Sequence, residues 1–111
     1  MVAQANPVIP RASPFPFPTG WCCYLLLCGD GGYYCGISED LRQRCKDHVC
    51  GKGSRQTRSK RPLALVWYED HPDAPSARRR ERQIKNWGHA KKEALSKGRL
   101  QIGRAVWIPL D

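Results

Sequence analysis

The chain has 111 residues and a formal charge of +9, from nineteen Lys and Arg against ten Asp and Glu. That length supports one domain with a modest core rather than two. The charge points to a polyanion, nucleic acid or an anionic membrane surface, but the longest apolar run, WCCYLLLC at 21–28, is far too short to span a bilayer.

Residues 1–20 hold five of the nine prolines and show neither alternation nor helical period. They read as a Pro-rich, disordered or loosely attached leader. The leader has neither the basic start nor the apolar core of a secretory signal, so a reducing cytoplasm is expected. The six cysteines (22, 23, 28, 35, 45 and 50) are then small buried thiols rather than a disulfide framework. Zinc is the alternative, but it favours C-x2-C pairs, whereas Cys22 and Cys23 are adjacent and Cys45 and Cys50 lie five apart.

Order is expected from Trp21. Cys22–Cys28 reads as a buried strand, GDGG at 29–32 as a turn and YYCGI as the returning strand of a hairpin. Asp40 can cap a helix, with Gln43 completing a capping box. That helix should run to about Cys50 with Leu41, Cys45 and Val49 inward. GKGSRQTRSKRP at 51–62 is a basic loop, and LALVWYE at 63–69 is a third strand. Pro75 and Ser76 should open a long helix to about Lys97, with a bend at Gly88. LQIGRAVWIPLD shows no clear period and is left unassigned. The order β-β-α-β-α predicts an α+β domain over 21–98, a three-stranded mixed or antiparallel sheet flanked by helices, with 99–111 as a tail.

The positive charge sits in two segments. Residues 42–61 carry a net +7 and residues 78–92 a net +6, so the rest of the chain is acidic. Either run alone would ordinarily be a solvated helix face. Together, with almost no interleaved acid, they favour a phosphate-binding surface in which Lys52, Arg55, Arg58 and Lys85 are candidate contacts. Glu81 is a carboxylate amid arginines. It is either a surface ion-pair member or one ligand of a hard cation such as Mg²⁺, which fills its other positions with water and substrate phosphate.

Phosphodiester hydrolysis needs a base or metal to make hydroxide, cations for charge developing on phosphorus and a proton for the leaving oxygen. Arg44 and His48 are four apart on the predicted helix and share a face. Tyr24 and Tyr34 lie on paired strands, where their hydroxyls could reach a common patch. Tyrosine would serve as a base at neutral pH only if nearby cations lowered its pKa.

Tyr24, YCG at 34–36, Arg44 in DLRQR, His48, GKG at 51–53 and Glu81 in A-x3-E-x2-I-K together resemble the GIY-YIG nuclease superfamily, most closely its small single-domain bacterial branch of uncharacterised endonucleases. The resemblance spans roughly Trp21 to Gly98. It implies Tyr24 as general base or water-orienting group and Tyr34 in the same hydrogen-bond network around the scissile phosphate. By the same likeness Arg44 would stabilise the transition state, His48 would position phosphate or assist proton transfer, and Glu81 would hold one Mg²⁺ or Mn²⁺. The first motif's Gly-Ile is Cys22-Cys23 here, the second motif's central Ile is Cys35, and a lysine often found before the helix arginine is Gln43. A polar residue that some members carry late in the domain is left open between Lys85 and Asn86. The implied function is a divalent-metal-dependent endonuclease acting on DNA, with structure-selective cutting and a place in DNA repair or processing as its finer form. RNA as substrate is an open variant. The alternative is a catalytically silent nucleic-acid-binding module with the same fold.

Overall fold

The computed structural model describes residues 15–52 and 60–110. Strands β1 (Cys22–Cys28), β2 (Tyr33–Ser38), β3 (Pro62–Asp70) and β4 (Arg104–Pro109) form one antiparallel sheet in the order β2-β1-β3-β4. Helices α1 (Leu41–Val49), α2 (Ala74–Lys85) and α3 (His89–Ser96) complete an α+β fold. No described helix is long and apolar enough to cross a membrane.

Strand β1 is apolar throughout because both of its faces are covered. Cys22, Tyr24 and Leu26 face Leu41 and Cys45 of α1, whereas Cys23 and Leu25 face Ile84 of α2 and Leu95 of α3. Fully burying a leucine stabilises by about 1.5–3 kcal/mol, so this strand anchors both core halves. Five of the six cysteines are buried and act as small apolar groups, whereas Cys50, expected buried, is exposed just past the end of α1. Burial pushes the Cys22 and Cys45 thiols up to about 12, and Cys23 and Cys35 place their sulfurs 3.7 Å apart.

The sheet has four strands rather than three, because the unassigned tail supplies β4. Val106 and Ile108 turn inward, while Ala105, Trp107 and Pro109 face out. An outer face that is itself apolar leaves no alternation to read, and Pro109 suits an edge strand. The expected helix from Pro75 to Lys97 is two helices. Asp73 caps α2, accepting from the Ser76 N–H at 2.9 Å, and Asn86 ends it. Gly88, in extended conformation, then restarts the chain as α3.

The cap of α1 forms by halves. Asp40 Oδ1 accepts from the Gln43 N–H at 3.1 Å, but the Gln43 side chain reaches forward to Asp47 instead of back to the cap. Within the stretch assigned to the leader, Phe15 and Phe17 pack on the α1 half of the core, and the Arg42 guanidinium lies 4.7 Å from the Phe17 ring centroid. Residues 1–14 lie outside the described residues.

Candidate active site

Strand register brings the two tyrosines together. Tyr24 pairs with Gly36 and Leu26 with Tyr34, so both rings lie on the α1 face, their centroids 6.3 Å apart. Gly36 is what lets Tyr24 lie flat across β2. A Cβ there would stand 2.6 Å from the Tyr24 hydroxyl and 2.8 Å from Cζ, closer than carbon atoms tolerate.

Helix α1 supplies the other partners. Leu41, Cys45 and His48 are its buried residues, and Arg44 is a third exposed on the same side. Tyr24 Oη shares a 2.8 Å hydrogen bond with His48 Nε2, and the Tyr34 ring centroid lies 5.2 Å from that of His48. The Arg44 guanidinium is close enough to the Tyr24 hydroxyl to work against its raised pKa, and Arg44 Nη1 is 3.9 Å from Asp47.

The charge balance differs from the sequence expectation. Burial, with Tyr34 alongside, holds Tyr24 well above the usual tyrosine range, and Arg44 offsets this only in part. Cations therefore do not make Tyr24 a resting tyrosinate. Burial, reinforced by the Arg44 charge, pushes His48 down to about 4, so its imidazole is neutral at pH 7. For Arg44, burial works to lower the pKa, but Tyr24, Tyr34 and Asp47 leave it above its ordinary value. The arrangement is layered, with a neutral Tyr24–His48 pair inside and Tyr34 and Arg44 nearer solvent.

Glu81 sits elsewhere. It shares the inward side of α2 with Ala77 and Ile84, which packs on the sheet face opposite Tyr24. Arg80 on the same helix reaches β3, so the Glu81–Lys85 flank is turned toward β2. Because β2 is an edge strand, Glu81 and the tyrosines can act on one substrate only around that edge. Glu81 is 19% exposed and pairs with Lys85 Nζ at 3.2 Å. Among the described residues no group of three or more His, Cys, Asp and Glu that could hold a metal ion is gathered. Lys52 donates its backbone N–H to Asp47 at the end of α1, while Arg55 and Arg58 lie outside the described residues. Sequence reasoning missed the network joining Glu69, His71 and Arg80, whose only sequence signal is the E-x-H spacing at the end of β3.

A family model described as the GIY-YIG catalytic domain matches residues 20–94. A UPF0213 protein of Streptococcus sanguinis is 40% identical over 78 residues, covering 70% of this chain and 90% of the relative. A UPF0213 protein of Xanthomonas campestris is 42% identical over 77 residues, covering 69% of this chain and 76% of the relative. The solution NMR structure of a UPF0213 protein from Bacillus halodurans aligns at 36% identity over 69% of this chain and 82% of that one, with a TM-score of 0.45. The class is thus a small nuclease-type domain. The chain belongs to the GIY-YIG catalytic-domain family, and the relatives it matches there are UPF0213 proteins.

Proposed function

We propose that this protein is a divalent-metal-dependent endonuclease that hydrolyses phosphodiester bonds in DNA. The observation that carries the reading is the buried Tyr24–His48 pair with Arg44 against its hydroxyl, a neutral proton acceptor placed behind a cation. Arg44 meets the scissile phosphate and stabilises charge developing on its oxygens. A phosphate that draws Arg44 off Tyr24 also uncovers that hydroxyl to the attacking water. Tyr24 then takes the water's proton as it passes its own to His48 Nε2, so no free tyrosinate is needed. Tyr34 orients the phosphate from the outer layer.

Glu81 fits a hard cation as its single protein carboxylate, with water and substrate phosphate as the remaining ligands. Bound Mg²⁺ or Mn²⁺ would polarise the phosphate and help protonate or stabilise the leaving oxygen. Lys85 must yield Glu81 for this to happen, so metal and DNA are expected to bind together, with Lys85 moving onto phosphate. Lys52, Arg55 and Arg58 extend the contact along the backbone.

The Lys85 ammonium on Glu81 also supports a second reading, a catalytically silent DNA-binding module. Plasmid nicking by purified protein with Mg²⁺ or Mn²⁺ separates the two. The enzyme nicks, whereas Glu81→Ala and Arg44→Ala proteins do not. Cutting by both variants at the wild-type rate would sink the nuclease assignment to this site. A panel of single-stranded, duplex, flap and branched substrates then tests structure selectivity and a role in repair.

A further inference from the structure

The flank of α2 that faces β3 carries a second polar site, away from the Tyr24–His48 layer. Glu69 Oε1 accepts from Arg80 Nε at 2.8 Å and pairs with His71 Nε2 at 2.7 Å, while Oε2 lies 3.2 Å from Arg80 Nη2. His71 Nδ1 stands 2.6 Å from Ser76 Oγ, and Arg80 Nη1 donates to Gln83 Oε1 at 2.5 Å. Arg80 and His71 are therefore each fixed by two side chains. Beside this frame lies an open groove of about 560 Å³ with Arg79, Arg82 and Asn86 on its rim.

The charge count decides what such a groove can take. Glu69 neutralises Arg80, and the Asp73 carboxylate is turned to the Ser76 N–H. Among the described residues, Arg79 and Arg82 have no carboxylate within ion-pairing distance. The groove thus keeps two uncompensated guanidiniums, whose forked donors match phosphate oxygens. Apart from Asn86, an open candidate for the family's late polar residue, none of its residues belongs to the motif, and none takes part in the proposed chemistry.

We propose that this groove is a second phosphate-binding site, holding a segment of nucleic-acid backbone apart from the scissile phosphate. The identity of the polyanion rests on the nuclease reading. A backbone lying across α2 would touch the groove on one flank and the Glu81 side on the other.

The test is fluorescence anisotropy of a short labelled duplex with the full chain in EDTA, over a series of salt concentrations. Arg79→Ala/Arg82→Ala is expected to weaken binding roughly ten- to a hundredfold near ~0.1 M salt and to flatten the salt slope by about 1.8. Arg99→Ala/Arg104→Ala removes the same charge from exposed positions near β4 and should change both far less. Equal losses in the two double variants would reduce the effect to net charge and overturn the groove. Titration of the groove amides with inorganic phosphate alone separates the sources of phosphate. Saturation in the micromolar range would make a free anion the ligand and overturn the backbone assignment. If the wild-type chain nicks plasmid while the groove variants bind normally, the groove is refuted and the nuclease reading stands. If the wild-type chain binds no duplex in EDTA, the groove is refuted, while plasmid nicking with Mg²⁺ or Mn²⁺ decides the nuclease reading separately.

Discussion

Tyr24 Oη and His48 Nε2 lie 2.8 Å apart, with both side chains closed off from solvent. A buried polar pair of this kind is coupled in both stability and chemistry, because neither group has bulk water to replace a lost partner. Tyr24→Phe keeps the ring and removes the hydroxyl together with its hydrogen bond to His48 Nε2. It should cost about 1–3 kcal/mol in denaturant unfolding. Plasmid nicking should drop by about 10²-fold or more at temperatures where the variant is fully folded.

The same burial fixes a pH dependence. His48 is lowered from its ordinary 6.5 to about 4, so the unfolded chain binds this proton before the folded one does. Its contribution is fully present above pH 6.5 and is lost as pH falls toward 4, a loss on the order of 3 kcal/mol. Urea unfolding of wild-type and His48→Gln proteins at pH 7 and pH 4.5 measures it. The wild type should lose more stability between the two pH values than the variant does.

Gly36→Ala puts a methyl carbon where the Tyr24 hydroxyl lies. Overpacking of this sort typically costs about 1–3 kcal/mol, and the ring must lift off β2 to relieve it. The Tyr24–His48 hydrogen bond should lengthen or break, visible as an upward shift of the His48 pKa toward its ordinary value in an NMR titration. An unchanged His48 titration would show that Gly36 does not position the tyrosine.

Lys85 and Glu81 predict an opposed pair of metal effects. Glu81→Gln should abolish Mn²⁺ binding in the presence of uncleavable DNA, measured by electron paramagnetic resonance. Lys85→Ala removes the competing ammonium and should tighten metal binding while weakening DNA binding by about one phosphate contact in the salt slope. Tighter DNA binding in Lys85→Ala would contradict the transfer of this lysine to phosphate.

Much of the architecture was legible because it follows local periods. The hairpin declared itself through an apolar run, a Gly-rich turn and a returning strand, and α1 through its cap and its 3.6-residue stripe. Tyr24 and Tyr34 could be put on paired strands, but that they share a face followed only from the register of β1 with β2. What failed depended on neighbours distant in sequence. Strand β4 hid because Ala105 and Trp107 face outward, and the break at Asn86–Gly88 interrupts a run whose helix formers continue on both sides. The direction of the Tyr24 shift depends on how completely α1 covers it, which no count of nearby arginines reveals. The separation of Glu81 from the tyrosines needed the strand order, since only an edge position for β2 lets two opposite faces serve one substrate.

The position of β2 at the sheet margin has a consequence for how a polymer is handled. Working groups arranged around an open rim, rather than at the bottom of a closed pit, set no requirement for a chain terminus. A nucleic acid can be laid across such a rim at any point along its length and lifted off again without threading. On the proposed nuclease reading, attack on this layout is interior, and circular molecules qualify as readily as linear ones.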